Sequence, residues 1–329
     1  MSFSIDLNEN LQTSIPTQFY HSFVRIVGGY NYFHLFSIFF ISILIIFTVI
    51  LSNTDPKSIS HGICIAATIV SIFSYLTIKQ FLETKKYSQI HQLIELTYRE
   101  ANPAERTLSA LDQYEYYKNL AHLFSYQAKE KFFAKLFPSL THKLQMGSYW
   151  KFYVFTLEEL GKRRLLCLLS LIEEHPSDLR IHTEYTNNLL EQINLLQIPK
   201  SYQELFFPSA LKKFNHEDRK RKIKKLYHLA IEELKILNDL APNDPWTHAK
   251  FADCYKGIHD QQNELLFVEK LKSLRPHDKE ILYNLAELYF ENHQYAKGIH
   301  IYDQLKLIDK NLAIKLMHNY RISQEENLK

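Results

Sequence analysis

Two uncharged apolar runs lie close together near the start of the chain, and they constrain its fold more than any other feature. Residues 33–51 read FHLFSIFFISILIIFTVIL and residues 59–78 read ISHGICIAATIVSIFSYLTI, without Asp, Glu, Lys or Arg in either. Each is about 20 residues, the length that carries a helix across about 30 Å of hydrocarbon. A helix satisfies its own backbone N–H and C=O groups, which lipid does not. The soluble alternative would bury two such adjacent helices in one core. A cleaved leader fits less well, because Asp6 and Glu9 precede the first run and no A-x-A-like site follows it.

Charge orients this pair. The connection SNTDPKSIS carries Lys57 offset by Asp55, whereas Lys79, Lys85, Lys86 and Arg99 follow the second run. Positive residues stay on the cytoplasmic side. The expectation is a two-pass hairpin over 31–82 with both termini cytosolic, in a bacterial inner membrane or a host vacuole or inclusion membrane. Arg25 agrees with that orientation. Residues 1–30 read as a flexible polar N-terminus. His34 and His61, near the run ends, are expected at the headgroups. Ser37, Ser42, Thr68, Ser71 and Ser74 are candidates for joining the two helices. A channel-forming hairpin lacks the intramembrane charges of an ion path.

Past the hairpin, apolar residues recur at three and four with no sustained strand-like alternation. Seven glycines in 329 residues leave little material for tight β-turns or phosphate loops. Residues 83–210 read as a helical region. One helix leaves the membrane through YSQIHQLIELTYREA to Pro103. A second has Leu108, Leu111, Leu120, Phe124, Ala128, Phe132 and Leu136 along one side and ends at Pro138. The fold class is therefore all-α.

The regular part lies in 211–329. Pro242 and Pro276 close similar phrases, LNDLAPND and LKSLRPHD, at a period of about 34 residues. SLIEEHPSD closes a third at Pro176, close to two such periods before Pro242 but not equal to them. Leu282, Leu285, Ala286 and Tyr289 give a first helix, and Gly298, Tyr302 and Leu305 a second. Phe251, Ala252 and Tyr255, then Val268 and Leu271, repeat the pattern, with departures at His248 and Glu264. Ala230, Leu234 and Leu237 read as another second helix, whereas LKKFNHEDR makes a poor first one. A capping helix is expected over about 313–322. YWKFYVFTLEELGKRRLLCLLSLIEEHP reads as a diverged member with Gly161 at its turn.

This period and these positions resemble the tetratricopeptide repeat (TPR) family over residues 226–322. The resemblance implies a cytosolic α-solenoid that binds a protein or peptide along the groove lined by its first helices. The corresponding residues are Trp246, Ala249, Asp253, Lys256, Glu280, Tyr283, Glu287, Phe290, Met317 and Arg321. Chaperone-binding members hold a C-terminal carboxylate with Lys, Asn and Arg. Ala249, Asp253, Tyr283 and Glu287 stand in those places here, which suits an apolar segment flanked by basic residues instead. Gly298 is expected where the two helices of one repeat touch. The spacing of the two apolar runs also resembles the bilobed hairpin of chlamydial inclusion-membrane proteins. That resemblance implies a secreted effector in a host-derived membrane, beside the more general reading of a bacterial inner-membrane scaffold.

Other chemistry is sparse. GxGxxG, GxxxxGK, GxSxG and HExxH are absent, so nucleotide-loop, serine-hydrolase and zincin readings lack their signatures. Cys64, Cys167 and Cys254 form no CxxC pair, and the sixteen histidines show no ligand spacing. No metal or cofactor is expected. The net charge of +3 selects no partner. The run KKFNHEDRKRKIKK holds Lys212, Lys213, Arg219, Lys220, Arg221, Lys222, Lys224 and Lys225. It reads as a solvated helix start with Ile223 and Leu226 inward, or as a contact for anionic lipid headgroups. Without interleaved aromatics it does not suit nucleic acid. The rival of another class is a membrane-bound enzyme with its site in residues 84–210.

Overall fold

The computed structural model describes residues 9–54, 59–102, 109–128, 140–197 and 216–327; for 9–15, 31, 140–148, 216 and 321–327 it describes backbone alone. Every regular element among them is helical. In chain order these are α1 (Glu9–Thr54), α2 (Ile59–Ala101), α3 (Ala110–Ala128), α4 (Leu140–Glu174), α5 (Leu179–Leu196) and α6 (His216–Leu240). Then follow α7 (Pro245–Gly257), α8 (Gln261–Leu274), α9 (Lys279–Glu291), α10 (Tyr295–Ile308) and α11 (Lys310–Asn327). The described residues form two compact units, one of those up to Leu168 and the other of those from Leu169 onward.

In the first unit α1 and α2 pack along each other and are long and apolar enough to cross a membrane. At 46 residues, α1 is about 69 Å long, roughly twice a hydrocarbon core. Its apolar stretch is open on the side away from α2: Phe36 is 70% exposed and Phe39 65%. Inside the pair, Thr48 and Thr68 hydroxyls lie 3.3 Å apart.

The loose N-terminus expected for residues 1–30 is corrected from Glu9 onward, since α1 already begins there. Phe19, Phe23, Val27 and Tyr30 recur at helical spacing and are all buried. The Phe23 ring meets Phe124 of α3 at 4.9 Å and Tyr149 of α4 at 5.3 Å. From the far end of α2, Ile90, Ile94 and Thr97 are buried, and the Tyr98 ring lies 5.4 Å from Tyr117 of α3. Four helices thus share an aromatic core beside the exposed apolar stretch. Residues 1–8, the connection at 55–58, and Pro103, Leu108, Phe132, Leu136 and Pro138 lie outside the described residues.

The turn expected at Gly161 is also corrected, because α4 runs unbroken through it. Lys162 pairs with Glu158 at 3.1 Å and with Glu159 at 2.5 Å, so charged neighbours stitch the helix across the glycine.

The second unit carries the repeats. Helices α7 with α8, and α9 with α10, pack as consecutive antiparallel pairs, offset by the interval that separates Pro242 from Pro276, and α11 closes the series. Asp178, Asp244 and Asp278 cap α5, α7 and α9 through their side chains, each two residues after a proline. The left-handed residue ending α7 is His259, φ 62°, and that ending α9 is His293, φ 58°. The helix missing from the half-legible repeat is α5. It packs along α6, and residues 197–215 lie between them in sequence, which is why the interval from Pro176 to Pro242 exceeds one period. An expected boundary at residue 211 therefore falls inside a repeat.

Candidate functional site

Three first helices, α7, α9 and α11, present the expected groove residues. Trp246, Ala249, Tyr283, Glu287 and Met317 are half-buried, and Asp253, Lys256 and Glu280 are exposed. Asn319 of α11 donates its amide to the Tyr283 hydroxyl at 3.0 Å, so that hydroxyl is already engaged across the groove. Asp253 is ion-paired with Lys250 at 3.1 Å. The Arg321 side chain lies outside the described residues.

Phe290 is a correction. It is 4% exposed and points into the repeat. A Cβ added at Gly298 would meet the Phe290 ring at 2.7 Å, and the same ring lies 4.7 Å from that of Tyr320. The glycine is the space into which the ring fits, so Phe290 holds α9, α10 and α11 together and does not line the groove. Gly257 makes a similar opening, since an added Cβ there would run into the Tyr227 ring. Gln197 donates to the hydroxyl of that tyrosine at 2.8 Å.

Two further acidic residues, Glu264 and Glu291, stand among the expected groove residues Asp253, Lys256 and Glu287. Lys256 and Asp253 of α7, with Glu287 and Glu291 of α9, all act electrostatically on Glu264 of α8. Burial pushes the Glu264 carboxyl up, and the same cause pushes up that of Glu287. The sequence signal for Glu264 was its departure from a small-residue position. Glu291 gave none beyond its place at a helix end.

His248, the other departure, has a structural role. Its Nε2 lies 2.8 Å from the Pro242 carbonyl oxygen, as His182 Nε2 lies 2.9 Å from that of Pro176. Each histidine stands four residues after its capping aspartate and ties the helix to the preceding turn. His182 Nδ1 pairs with Glu233 of α6, both buried. One period on, Phe267 replaces that glutamate, with its ring 5.8 Å from His248. The His248 Nδ1 is buried with no hydrogen-bond partner among the described residues.

The basic run begins α6. Lys220, Arg221, Lys224 and Lys225 are exposed, Arg219 and Lys222 half-buried, and Leu226 buried. Arg221 is ion-paired with Asp218. Lys212 and Lys213 lie outside the described residues.

Among the described residues of 84–210, one polar cluster is built around Lys151. Its ammonium donates to one Glu83 oxygen at 2.7 Å, while Tyr30 donates to the other at 2.6 Å. Both oxygens are thus engaged, which makes the cluster a clasp between α1, α2 and α4. His34 Nδ1 lies 2.5 Å from the Tyr75 hydroxyl, joining α1 to α2 beside this cluster.

No family model matches the sequence, and no curated protein is similar to it. Solved structures are similar in part. A thermophilic TPR protein of Thermus thermophilus is 14% identical, covering 64% of this chain and 94% of its own, with a TM-score of 0.32. The MamA RS-1 ArsTM double mutant is 11% identical, covering 61% of this chain and 96% of its own, with a TM-score of 0.27. The helix pairing described above stands on the periodic register of this chain's own residues.

Proposed function

We propose that this chain is a membrane-anchored helical-repeat scaffold that holds a protein or peptide partner at the cytosolic membrane surface. The observation that carries the reading is the apolar surface of α1 and α2, none of whose most apolar window is buried by protein. An exposed surface of that extent needs lipid around it. The hairpin keeps the repeats near one membrane and so raises the local concentration of what they bind. Binding is assigned to the face carrying Trp246, Ala249, Tyr283 and Glu287, because the large apolar residues of the opposite register, Leu282, Leu285 and Tyr289, are used up in packing.

The exposed lysines and arginines at the start of α6 are assigned to anionic headgroups. The protein acts by binding and not by catalysis. The ion pair of Glu83 with Lys151 is assigned to joining α2 and α4.

The test is photocross-linking in the native host from Ala249 and Tyr283, each replaced by a photoreactive phenylalanine, with Lys235 on the outer side of α6 as control. A partner joined from 249 and 283 but not from 235 is the expected result. Cross-links to lipid alone, or equal capture from all three positions, would overturn the groove assignment.

A further inference from the structure

Glu264 has chemistry that the packing does not use. It stands at the register of Ala230 and Gly298, one repeat to either side, where paired helices close on each other. A small side chain belongs there, yet this position carries a carboxylate in a residue only 7% exposed. Among the described residues that carboxylate has neither hydrogen bond nor ion pair. The first turn of α8 gives it a weak favourable field, but its neighbours work against it. Asp253, Glu287 and Glu291 add three more negative charges, set against Lys256 and the Lys250 already paired with Asp253. The last turn of α9, where Glu291 stands, and the C-terminal end of α7 just beyond Asp253 contribute their negative dipole ends.

Such a site is relieved by protonation or by a cation. Among the described residues no three of His, Cys, Asp and Glu converge as metal ligands. A guanidinium suits the arrangement better, since its planar fork of five donors reaches several carboxylates at once.

We propose that the end of the groove bounded by α7, α8 and α9 is a socket for an arginine side chain of the bound partner segment. Glu264 is the buried acceptor and Glu287 and Asp253 form the rim. This inference rests on the groove reading above and adds the chemistry that the partner must bring. Half-buried Trp246, Ala249 and Tyr283 farther along the same face receive the apolar residues beside that arginine.

The experiment uses the full chain in lipid nanodiscs and two fluorescein-labelled amphipathic helical peptides. They are identical except that a central arginine in one is citrulline, its uncharged analogue, in the other. The arginine peptide is expected to bind about tenfold more tightly, the scale of one buried charge-assisted hydrogen bond. Glu264→Gln should erase that preference while melting no lower than the parent. Glu287→Gln, at the less buried rim, should reduce it and serves as the second variant if Glu264→Gln fails to fold. Equal affinities, binding of neither peptide, or an arginine preference that persists in Glu287→Gln and in folded Glu264→Gln would overturn the socket. Photocross-linking from Ala249 and Tyr283 separates the two ideas: partner capture without arginine preference removes the socket and leaves the groove.

Discussion

Gly298 shows how one atom decides a repeat. The Phe290 ring occupies the space a Cβ would take, 2.7 Å from that atom's position. Glycine gives up about 1 kcal/mol of helix propensity relative to alanine, and the packed ring offsets it. Gly298→Leu should therefore lower the unfolding free energy by about 2–3 kcal/mol, the cost of overpacking a filled core. Gly298→Ala combined with Phe290→Leu should cost less than the sum of the single changes, because they share one contact. Urea midpoints of the four proteins check this, and strict additivity would count against the contact. Glu264 makes the opposite case, a carboxyl in a mostly buried residue with neither hydrogen bond nor ion pair among the described residues. Its raised carboxyl, like that of Glu287, binds a proton in the folded chain at a pH where the unfolded chain has released it. Stability from that proton is full below the unfolded value, about 4.3, and is lost as pH rises through the folded value. Asp178 and Asp309 run the other way: backbone N–H groups of Arg180 and Leu312 hold their carboxyls down, so their contribution is lost as pH falls. Glu264→Gln should thus gain on the parent as pH rises from the unfolded carboxylate value toward neutrality. A constant difference between their urea midpoints across that range would contradict the assignment. Lys256, Asp253, Glu287 and Glu291 face the same group and are unchanged in the comparison.

At the scale of the helix pair, one position has three solutions. His182 with Glu233, His248 with Phe267, and Leu282 with Ile301 fall at matching registers of successive repeats. The first is a buried polar pair, and the second leaves one histidine nitrogen without a partner. Both residues of the third are buried and apolar. His182→Leu strands the Glu233 carboxylate and should cost about 3 kcal/mol or more. His248→Leu gives up one hydrogen bond but removes a buried unsatisfied nitrogen, so it should stay within about 1 kcal/mol of the parent. Adding Glu233→Ile to His182→Leu should recover most of the loss, because it installs the apolar solution of the third repeat. Equal costs for the two histidines would dissolve this repeat logic. The same comparison explains what the sequence revealed. The repeat register from Pro242 onward was legible because cap, proline and small residues fall at fixed offsets. The pairing of α5 with α6 was hidden because 197–215 separates partners that elsewhere adjoin. Glu264 is a misfit in the periodic pattern, but its surroundings are set by three helices that come together only in the fold. Phe290 was misplaced because its proximity to Gly298 depends on how the pair closes, which spacing along one helix does not specify.

For the whole chain, the apolar runs were legible at once, but the polar residues between Phe19 and Tyr30 masked the stripe that makes α1 continuous. That stripe bears on topology. Phe23 packs on Phe124 and Tyr149, so the N-terminal half of α1 lies on the same side of any bilayer as α3 and α4. The proposed anchoring then requires an even number of crossings, with Asn53 on the far side. A chain whose Cys64, Cys167 and Cys254 are replaced by alanine gives a direct reading. Val24→Cys, Tyr126→Cys and Asn53→Cys each place one thiol at an exposed position. In right-side-out vesicles an impermeant maleimide should label position 53 alone. Positions 24 and 126 should react together, and only after permeabilisation, because one aromatic core holds α1 against α3. Labelling of 24 and 53 from the same face would mean that the apolar stretch of α1 does not cross. Labelling of 24 and 126 from opposite faces would mean that the core joining α1 to α3 does not form in the membrane.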